Sequence, residues 1–212
     1  GAPEVPDHVS LWGLRLPICQ GFDQYANVRP TRVLPGVTSP LANAKDIDWV
    51  IIRENSEGEY SGSGGRVHQG LPEEVATETS VFTRVGVERI HRFAFELARK
   101  RPRKLLTLVT KSNAQRHGMV LWDEIFYEVA KKYPDVKTDR ILVDAMTTRM
   151  VLKPASLDTI VATNLHADIL SDLAAALSGS LGIAPTANLN PERKFPSMFE
   201  PIHGSAFDIT GK

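Results

Sequence analysis

The sequence predicts an α/β fold, because short apolar runs alternate along the chain with longer segments of helical periodicity. The runs at residues 47–53, 105–110 and 158–162 have the length and composition of buried strands. Apolar residues recur at helical spacing over residues 83–101, and Pro102 ends that helix. A charged residue follows most of the predicted strands, and this third observation also bears on function.

The first third of the chain contains two predicted strands and an arm. Residues 1–24 mix loop residues with one short apolar piece and predict mainly irregular structure. Residues 25–30 form the first predicted strand and residues 47–53 the second. The glycine-rich residues 61–65 predict a flexible turn, and together with residues 74–82 they indicate a hairpin or projecting arm.

The remainder continues the alternation of strands and helices. An amphipathic helix is predicted over residues 115–133, a strand over 140–143 and a helical piece around Met146 and Met150. A further helix begins near Asn164, which follows the strand at 158–162. Residues 184–199 are rich in proline and asparagine and predict a loop.

Composition restricts the class of protein. Lys+Arg and Asp+Glu each number 25 among 212 residues, so the formal charge favours neither nucleic acid nor an anionic membrane as partner. The single cysteine, Cys19, excludes an internal disulfide framework and fits a reducing compartment. No apolar run has membrane-spanning length and no signal peptide is recognised, so we expect a cytoplasmic protein. The start without methionine and the end at Gly211-Lys212 lead us to expect an internal fragment of a longer chain.

Charged residues recur where predicted strands end. Arg29, Arg53, Lys111 and Asp144 each follow or close an apolar run, and Asp168 comes after the next one. Ligands of α/β proteins bind at the carboxyl edge of the sheet. Each residue alone would be read as a solvated strand end, but five in succession favour a binding site for a small, carboxylated substrate and a metal ion.

Asp168 and Asp172 lie four residues apart on a predicted helix and therefore on the same helical face. Two buried carboxylates must take up a proton or hold a cation, and a set of oxygen ligands suits Mg²⁺ or Mn²⁺. Asp144 would be a third ligand. Two solvated aspartates on an exposed helix edge are the alternative, equally compatible with these residues by themselves.

A motif of small residues lies near the end of the chain. His203-Gly204-Ser205-Ala206 would let backbone N–H groups approach a phosphate, although a plain tight turn is an alternative. Asp208 could accept hydrogen bonds from a ribose diol and would repel a 2′-phosphate, which favours NAD over NADP. The chain contains no G-x-G-x-x-G sequence, so a conventional Rossmann site is not supported.

Three motifs resemble those of the metal-dependent β-decarboxylating dehydrogenases, which include the isocitrate, 3-isopropylmalate, tartrate and D-malate enzymes. They lie at residues 53–60, 164–172 and 200–206, in the same order as in that family. Residues 7–13 and 187–193 look most like the tartrate/D-malate branch. The resemblance implies an isocitrate/isopropylmalate dehydrogenase-like two-domain fold, represented here by an internal fragment.

The resemblance also implies a domain division and an activity. Residues 1–24 would belong to the cofactor-binding domain, residues 25–178 to a central domain for substrate, metal and dimerisation, and residues 179–212 would return to the cofactor-binding domain. The implied reaction is the oxidation and decarboxylation of a small 2-hydroxy dicarboxylic acid, tartrate or D-malate, with NAD and Mg²⁺ or Mn²⁺. A requirement for K⁺ is left open.

Residue roles follow from the same resemblance. Arg29, Arg53 and Asn113 would bind substrate, and Asp168 and Asp172 would bind the metal together with the partner's Asp144. The partner's Lys111 would take the hydroxyl proton and Tyr60 would protonate the enolate, so that two chains of a homodimer share each site. Six residues would line the dinucleotide site: Glu200, His203, Gly204, Ser205, Ala206 and Asp208.

The chain departs from the family pattern at three places, Cys19, His166 and Phe207, and the first of these leaves substrate identity open. Many relatives carry a substrate-binding arginine ten residues before the one matching Arg29, and here that position is Cys19. Arg15 comes four residues too early to replace it without a local rearrangement. His166 stands before the first metal aspartate where Phe is frequent, and we expect it to pack in the core.

Three other interpretations stay open. A 3-isopropylmalate dehydrogenase would need an apolar pocket, which Leu11, Leu14 and Leu16 could supply. A Mg²⁺-dependent phosphoryl-transfer or hydrolytic enzyme could use the same aspartates without NAD. A non-catalytic regulatory subunit of the same family would bind dinucleotide without turnover.

Overall fold

The computed structural model describes residues 5–42, 44 and 47–202. Within them the strands are β1 (Ala26–Arg32), β2 (Asp48–Glu54), β3 (Gly58–Val67), β4 (Val75–Val81), β5 (Leu105–Thr110), β6 (Lys137–Leu142), β7 (Thr159–Ala162), β8 (Pro185–Leu189) and β9 (Met198–Pro201). The α-helices are α1 (Asp7–Ser10), α2 (Leu16–Gly21), α3 (Arg84–Lys100), α4 (Gly118–Ala130), α5 (Val143–Leu152) and α6 (Asn164–Leu177). A π-helical turn, Leu11–Arg15, joins α1 to α2, and a 3-10 turn, Pro154–Ser156, precedes β7.

The centre of the fold is a seven-stranded sheet in the order β6-β5-β7-β2-β1-β8-β9, and β3 and β4 pair separately as an antiparallel arm. The first four strands of that order are mutually parallel, whereas β1 runs antiparallel to both β2 and β8. The carboxyl ends of β5, β6, β7 and β2 therefore meet at one edge. The predicted α/β fold class is confirmed.

Both faces of the parallel part of the sheet are covered by helices. In β2, Val50 and Ile52 pack into a core with α3 and α4, while Trp49 and Ile51 pack into a second core with α5 and α6. Successive side chains of a strand point to opposite faces, so a strand buried on both sides reads as a continuous apolar run. This burial explains why the parallel strands were recognisable in the sequence.

Threonine residues cap the first turns of helices α3 and α6. Thr83 precedes α3 and accepts a hydrogen bond from the backbone N–H of Gly86, and Thr163 precedes α6 and accepts one from that of His166. Arg99 and Lys100 lie in the last turn of α3, where cations interact favourably with the helix dipole. No helix in the described ranges is both long and apolar enough to cross a membrane.

Two predictions of irregular structure near the start of the chain were wrong. Residues 7–21 form consecutive helical turns, which Pro17 does not interrupt because it follows the π-helical turn, where the backbone hydrogen-bond pattern changes. Residues 61–65 lie within β3, and the hairpin turn comes later, between Val67 and Val75. A Cβ on Gly64 would lie 2.2 Å from the Thr77 carbonyl oxygen, so glycine here permits close pairing of the arm.

A third difference lies in residues 184–199, which were predicted to be a loop. Residues 185–189 form β8 and residues 198–201 form β9, so only the segment between them is irregular. Short edge strands with asparagine and proline have weak local signals, and they form here because β8 pairs with β1. This pairing brings Asn188 and Glu200 toward the site.

His91 is a titratable group of the core whose pKa lies far below its usual value. It is fully buried on α3, where its ring contacts Trp122 edge-on at a centroid distance of 4.4 Å. Neither ring nitrogen has a hydrogen-bond partner among the described residues. Burial lowers the pKa of His91 to about 3, so the folded protein keeps the imidazole neutral where an unfolded chain would protonate it.

We therefore expect His91 to make the fold less stable as the pH falls below the unfolded pKa of about 6.5. Between pH 6.5 and pH 5 this group alone should remove roughly 1.5 kcal/mol from the free energy of unfolding. The His91→Leu variant should lack this component when urea unfolding of variant and wild type is compared at both pH values. Other titrating groups cancel in that comparison.

The matched control is His68→Asn, at an exposed position of the arm whose φ of 55° asparagine tolerates. It should follow the wild-type pH dependence. If His91→Leu also follows the wild type, the protonation state assigned to His91 is wrong.

Candidate active site

Two arginines and a tyrosine converge on the carboxylate of Asp168. The Arg53 guanidinium pairs with Asp168 Oδ1, and Arg29 Nη1 lies 3.2 Å from the same oxygen. The Tyr60 hydroxyl donates to the other oxygen, Oδ2, at 3.4 Å. Residues from β1, β2, β3 and α6 thus meet within one chain, at the edge of the sheet where the sequence predicted a site.

The routes by which the two arginines reach Asp168 differ. Arg53 lies near the carboxyl end of β2, beside β7, and α6 begins two residues after β7 ends. Arg29 lies in the middle of β1 and pairs with Ile51, so the interpretation of Arg29 as a strand-end residue was wrong. Its side chain nevertheless extends to Asp168, because an arginine side chain is long enough to bridge from an antiparallel strand.

The convergence shifts the protonation equilibria of all three charged groups. Burial lowers the pKa of Arg29 to about 10, and the neighbouring charge of Arg53 adds to this shift. Burial likewise lowers the pKa of Arg53, against the opposing effect of Asp168. Burial alone would raise the pKa of Asp168, but Arg53 and Arg29 outweigh it and lower that pKa. Asp168 is therefore an ionised carboxylate, and 36% of its side chain is exposed to solvent.

Asp168 and Asp172 together offer a pair of oxygen ligands that fits a divalent cation. Asp172 lies one turn after Asp168 on α6 and is exposed, and its negative charge acts on Arg29. The donor chemistry suits Mg²⁺ or Mn²⁺. Within the part of the chain that the structure describes, no three acidic, histidine or cysteine side chains cluster as a metal site. Among the residues that the structure describes, Asp168 and Asp172 are thus the two acidic side chains that this helix face offers to a cation.

Lys111 and Asp144 form a second group at the same edge of the sheet. Lys111 follows β5, Asp144 lies in the first turn of α5 after the neighbouring β6, and Lys111 Nζ lies 2.6 Å from Asp144 Oδ1. The hydrogen bond from Lys111 lowers the pKa of Asp144. Among the described residues neither side chain forms an ion pair with Asp168. Asn113 is exposed in the turn that follows Lys111.

Three residues around the start of α6 hold Arg53 in place. Arg53 Nε donates to Asn164 Oδ1 at 2.8 Å, and Asn164 Nδ2 donates to the carbonyl oxygen of Glu57 at 3.1 Å. The Glu59 carboxylate accepts from the backbone N–H of Leu165, where negative charge favours a helix N-terminus. Arg53 is thus oriented before any ligand binds, which is what a rigid site requires.

His166 packs beneath this helix start, as expected. Only 7% of its surface is exposed. Burial lowers the pKa of His166, the charge of Glu59 opposes that shift, and the charge of Lys111 adds to it. The buried imidazole is therefore a packing residue.

A buried polar network connects Arg29 with Glu200. Arg29 Nε donates to Asn27 Oδ1 at 2.7 Å, and Asn27 Nδ2 donates to Asn188 Oδ1 at 2.6 Å. Asn188 Nδ2 in turn donates to Glu200 Oε1 at 3.0 Å, and the same oxygen accepts from Arg15 Nε at 2.9 Å. Glu200 is the one predicted dinucleotide-site residue that can be placed. The others, His203, Gly204, Ser205, Ala206 and Asp208, lie outside the described residues.

Sequence reasoning missed Asn27 and Asn188 as parts of this site, and it considered Arg15 only as a residue too early in the chain to replace the arginine absent at position 19. One signal was available for the strands: Asn27 and Arg29 alternate on β1, as Thr186 and Asn188 do on β8, so each strand carries polar side chains on one face. Polar residues at every second position of a buried strand all point to the same face of the sheet, and they indicate that this face is covered by other polar groups. For Arg15 no local signal exists.

The fold and these residues together define an α/β protein with arginines and acidic oxygen ligands gathered at one sheet edge. The sequence pattern of the isocitrate/isopropylmalate dehydrogenase family matches residues 3–212. The chain belongs to this family. Its fold is shared with the crystal structure of isocitrate dehydrogenase from Methylococcus capsulatus, with a TM-score of 0.86 and 40% identity over 97% of this chain and 59% of that one.

Two relatives are more similar in sequence. The chain is 78% identical to a probable tartrate dehydrogenase/decarboxylase of Agrobacterium vitis, over 100% of this chain and 60% of that protein. It is 55% identical to the D-malate dehydrogenase (decarboxylating) of Escherichia coli K12, over 98% of this chain and 58% of that protein. The chain thus spans about 60% of the length of these relatives, and the predicted family membership is confirmed.

The network predicts that Asn27 supports the fold as well as the site. Replacing it by leucine leaves Arg29 Nε, Thr186 and Asn188 without their partner in a buried region. We expect Asn27→Leu to lower the free energy of unfolding by about 2–4 kcal/mol. Urea unfolding monitored by circular dichroism measures this loss.

The matched control is Thr186→Val, which removes one acceptor of the same Asn27 amide but leaves the Arg29 hydrogen bond intact. This change should lower the free energy of unfolding by no more than about 1.5 kcal/mol. Equal losses in the two variants would mean that the Asn27–Arg29 hydrogen bond contributes nothing.

Proposed function

We propose that the protein oxidises and decarboxylates a small 2-hydroxy dicarboxylic acid, tartrate or D-malate, with NAD and a divalent cation. The observation that carries this proposal is the convergence of Arg29 and Arg53 on Asp168. Two guanidinium groups that would bind a substrate carboxylate thus lie beside the carboxylate that would bind the metal. The names of the relatives support the two substrates over 3-isopropylmalate.

Substrate binding would use the cations that the fold already holds in place. A guanidinium binds a carboxylate through two parallel hydrogen bonds, so Arg29 and Arg53 would fix a substrate carboxylate next to Asp168. Their orientation by Asn27 and Asn164 means that little freedom is lost on binding. Asn113 would contact the substrate near the nicotinamide.

Asp168 and Asp172, with the partner's Asp144, would hold Mg²⁺ or Mn²⁺, which when bound lowers the pKa of the substrate hydroxyl and offsets developing negative charge. NAD⁺ would accept the hydride from C2. The carboxylate β to the new carbonyl would then leave as CO₂, and its bonding electrons would remain on the substrate as an enolate.

Two side chains of the protein would move the protons. The partner's Lys111 would take the proton from the hydroxyl during oxidation. Tyr60 would return a proton to carbon after CO₂ has left. Burial and the negative charge of Asp168 raise the pKa of Tyr60, so its hydroxyl stays protonated and can act as the acid.

The dinucleotide site would be formed by Glu200 together with residues 203–206 and Asp208, and Asp208 would select NAD over NADP. Location in the cytoplasm, a requirement for K⁺ and the division into domains stay predictions. Homodimerisation with shared sites is part of the proposal. What supports it is that, among the described residues, Lys111 and Asp144 pair with each other and form no ion pair with Asp168.

The metal role predicts the effect of Asp168→Asn in the full-length protein. The amide can still accept hydrogen bonds from Arg29 and Arg53, but it lacks the charge that binds a cation and that neutralises the two buried guanidinium groups. In protein shown by circular dichroism to be folded, NADH formation from tartrate or D-malate with Mn²⁺ should fall about 10²-fold or more. Asp48→Asn, at the exposed first residue of β2 and at the opposite end of that strand from Arg53, is the control and should keep wild-type activity. Full activity after thorough chelation would exclude the metal. If 3-isopropylmalate is oxidised and tartrate and D-malate are not, the two proposed substrates are excluded.

Shared active sites predict complementation between inactive variants. In a dimer of Asp168→Asn with Lys111→Met, one site carries both changes and the other carries neither. Statistical mixing by coexpression should therefore recover about one quarter of wild-type activity.

The control pair is Asp168→Asn with Asp172→Asn. In the proposal one chain supplies both aspartates to a given site. Each site of a mixed dimer therefore carries one of the two changes, and mixing should restore no activity. If the first pair also stays inactive although mixed dimers form, each site is built from one chain.

A further inference from the structure

A third arginine lies beside the candidate site. Arg15 ends the π-helical turn, and 19% of its side chain is exposed. Cys19, one turn later on the same helical face, is 1% exposed. The charges of Arg15 and Glu200 both act on the Cys19 thiol, the first lowering its pKa and the second raising it, after the larger effect of burial. The helix thus delivers an arginine to the neighbourhood of Cys19 from one turn earlier.

Arg15 is held there in an orientation suited to an anionic ligand. Its Nε donates to Glu200 Oε1, which also accepts from Asn188 and is thereby fixed to the buried network. Within the described ranges the two terminal nitrogens of Arg15 form no hydrogen bond. A guanidinium tethered through Nε presents its terminal nitrogens end-on, in the fork geometry that binds a carboxylate.

The electrostatics near Arg15 also favour an additional anion. The positive charge of Arg15 contributes to lowering the pKa values of both Arg29 and Arg53, after the larger effect of burial. Three arginines therefore act on one another, while Asp168 pairs with two of them and Glu200 with the third. A dicarboxylate bound between them would relieve this repulsion.

We infer that Arg15 binds the second carboxylate of the substrate, the one remote from Asp168, in place of the arginine that this chain lacks at position 19. The inference rests on the proposed function. Arg29 and Arg53 contact Asp168 and so serve the carboxylate nearer to the metal ligands, whereas Arg15 lies toward Glu200. Arg15 comes four residues too early to replace an arginine at position 19 in an unchanged backbone, and the π-helical turn at residues 11–15 is the local rearrangement that would let it do so.

The test compares D-malate with D-lactate, in which hydrogen replaces the remote carboxylate. In the full-length protein, Arg15→Gln keeps a polar side chain near Glu200 but loses the charge. It should raise the KM for D-malate roughly 30-fold or more, with a smaller change in kcat. Inhibition by D-lactate should change no more than about 2-fold, because that ligand has no carboxylate for Arg15 to bind.

Arg15→Lys should recover part of the affinity for D-malate, and Arg84→Met, at an exposed ion pair on α3, should behave as wild type. An unchanged KM for D-malate in a folded Arg15→Gln protein would overturn the inference while leaving the proposed function intact. An equal loss of D-malate and D-lactate binding would also overturn it, since it would reveal a general structural role. If the wild-type protein does not oxidise D-malate or tartrate at all, it is the proposed function that fails.

Discussion

The dominant constraint on this structure is the burial of two guanidinium groups side by side. Arg29 and Arg53 are each about 3% exposed, and an uncompensated buried charge is strongly unfavourable. Asp168 supplies the countercharge, and the amide oxygens of Asn27 and Asn164 and the hydroxyl of Ser171 accept further hydrogen bonds from the two guanidinium groups. The sheet edge, the start of α6 and the polar strand β1 can therefore be understood as the scaffold that satisfies these two cations.

The need to satisfy buried polar groups extends from Arg29 to residues outside the immediate site. Because Arg29 needs a buried acceptor, Asn27 must in turn be satisfied by Asn188, and Asn188 contacts Glu200. The substrate side and the proposed dinucleotide side are thus joined by one chain of hydrogen bonds across β1, β8 and β9. A network of this kind is stable only when every member is satisfied, which ties the geometry of Glu200 to that of Arg29.

The distribution of the acidic groups has a consequence for assembly. Asp168 and Asp172 sit on α6, and Asp144 is engaged by Lys111 at the neighbouring strands. Within a single chain these form two groups, each suited to a part of the proposed chemistry. In the proposed dimer, a second copy of the chain would bring its Lys111–Asp144 group to the Asp168–Asp172 pair and so complete the site.

The sequence by itself determined the fold class and the acidic pair on α6. Strands buried on both faces appear as apolar runs, and a spacing of four residues places Asp168 and Asp172 on one helical face whatever lies around them. Residues 7–21, the glycine-rich strand β3 and the edge strands β8 and β9 could not be read in this way. Their regular structure depends on a helical transition and on pairing partners that local propensity does not encode. Only the tertiary structure decided which charges meet. The Arg15–Glu200 contact joins residues 185 positions apart and the Arg29–Asp168 contact joins residues 139 apart, because long-range pairings follow from packing and from the need to neutralise buried charge.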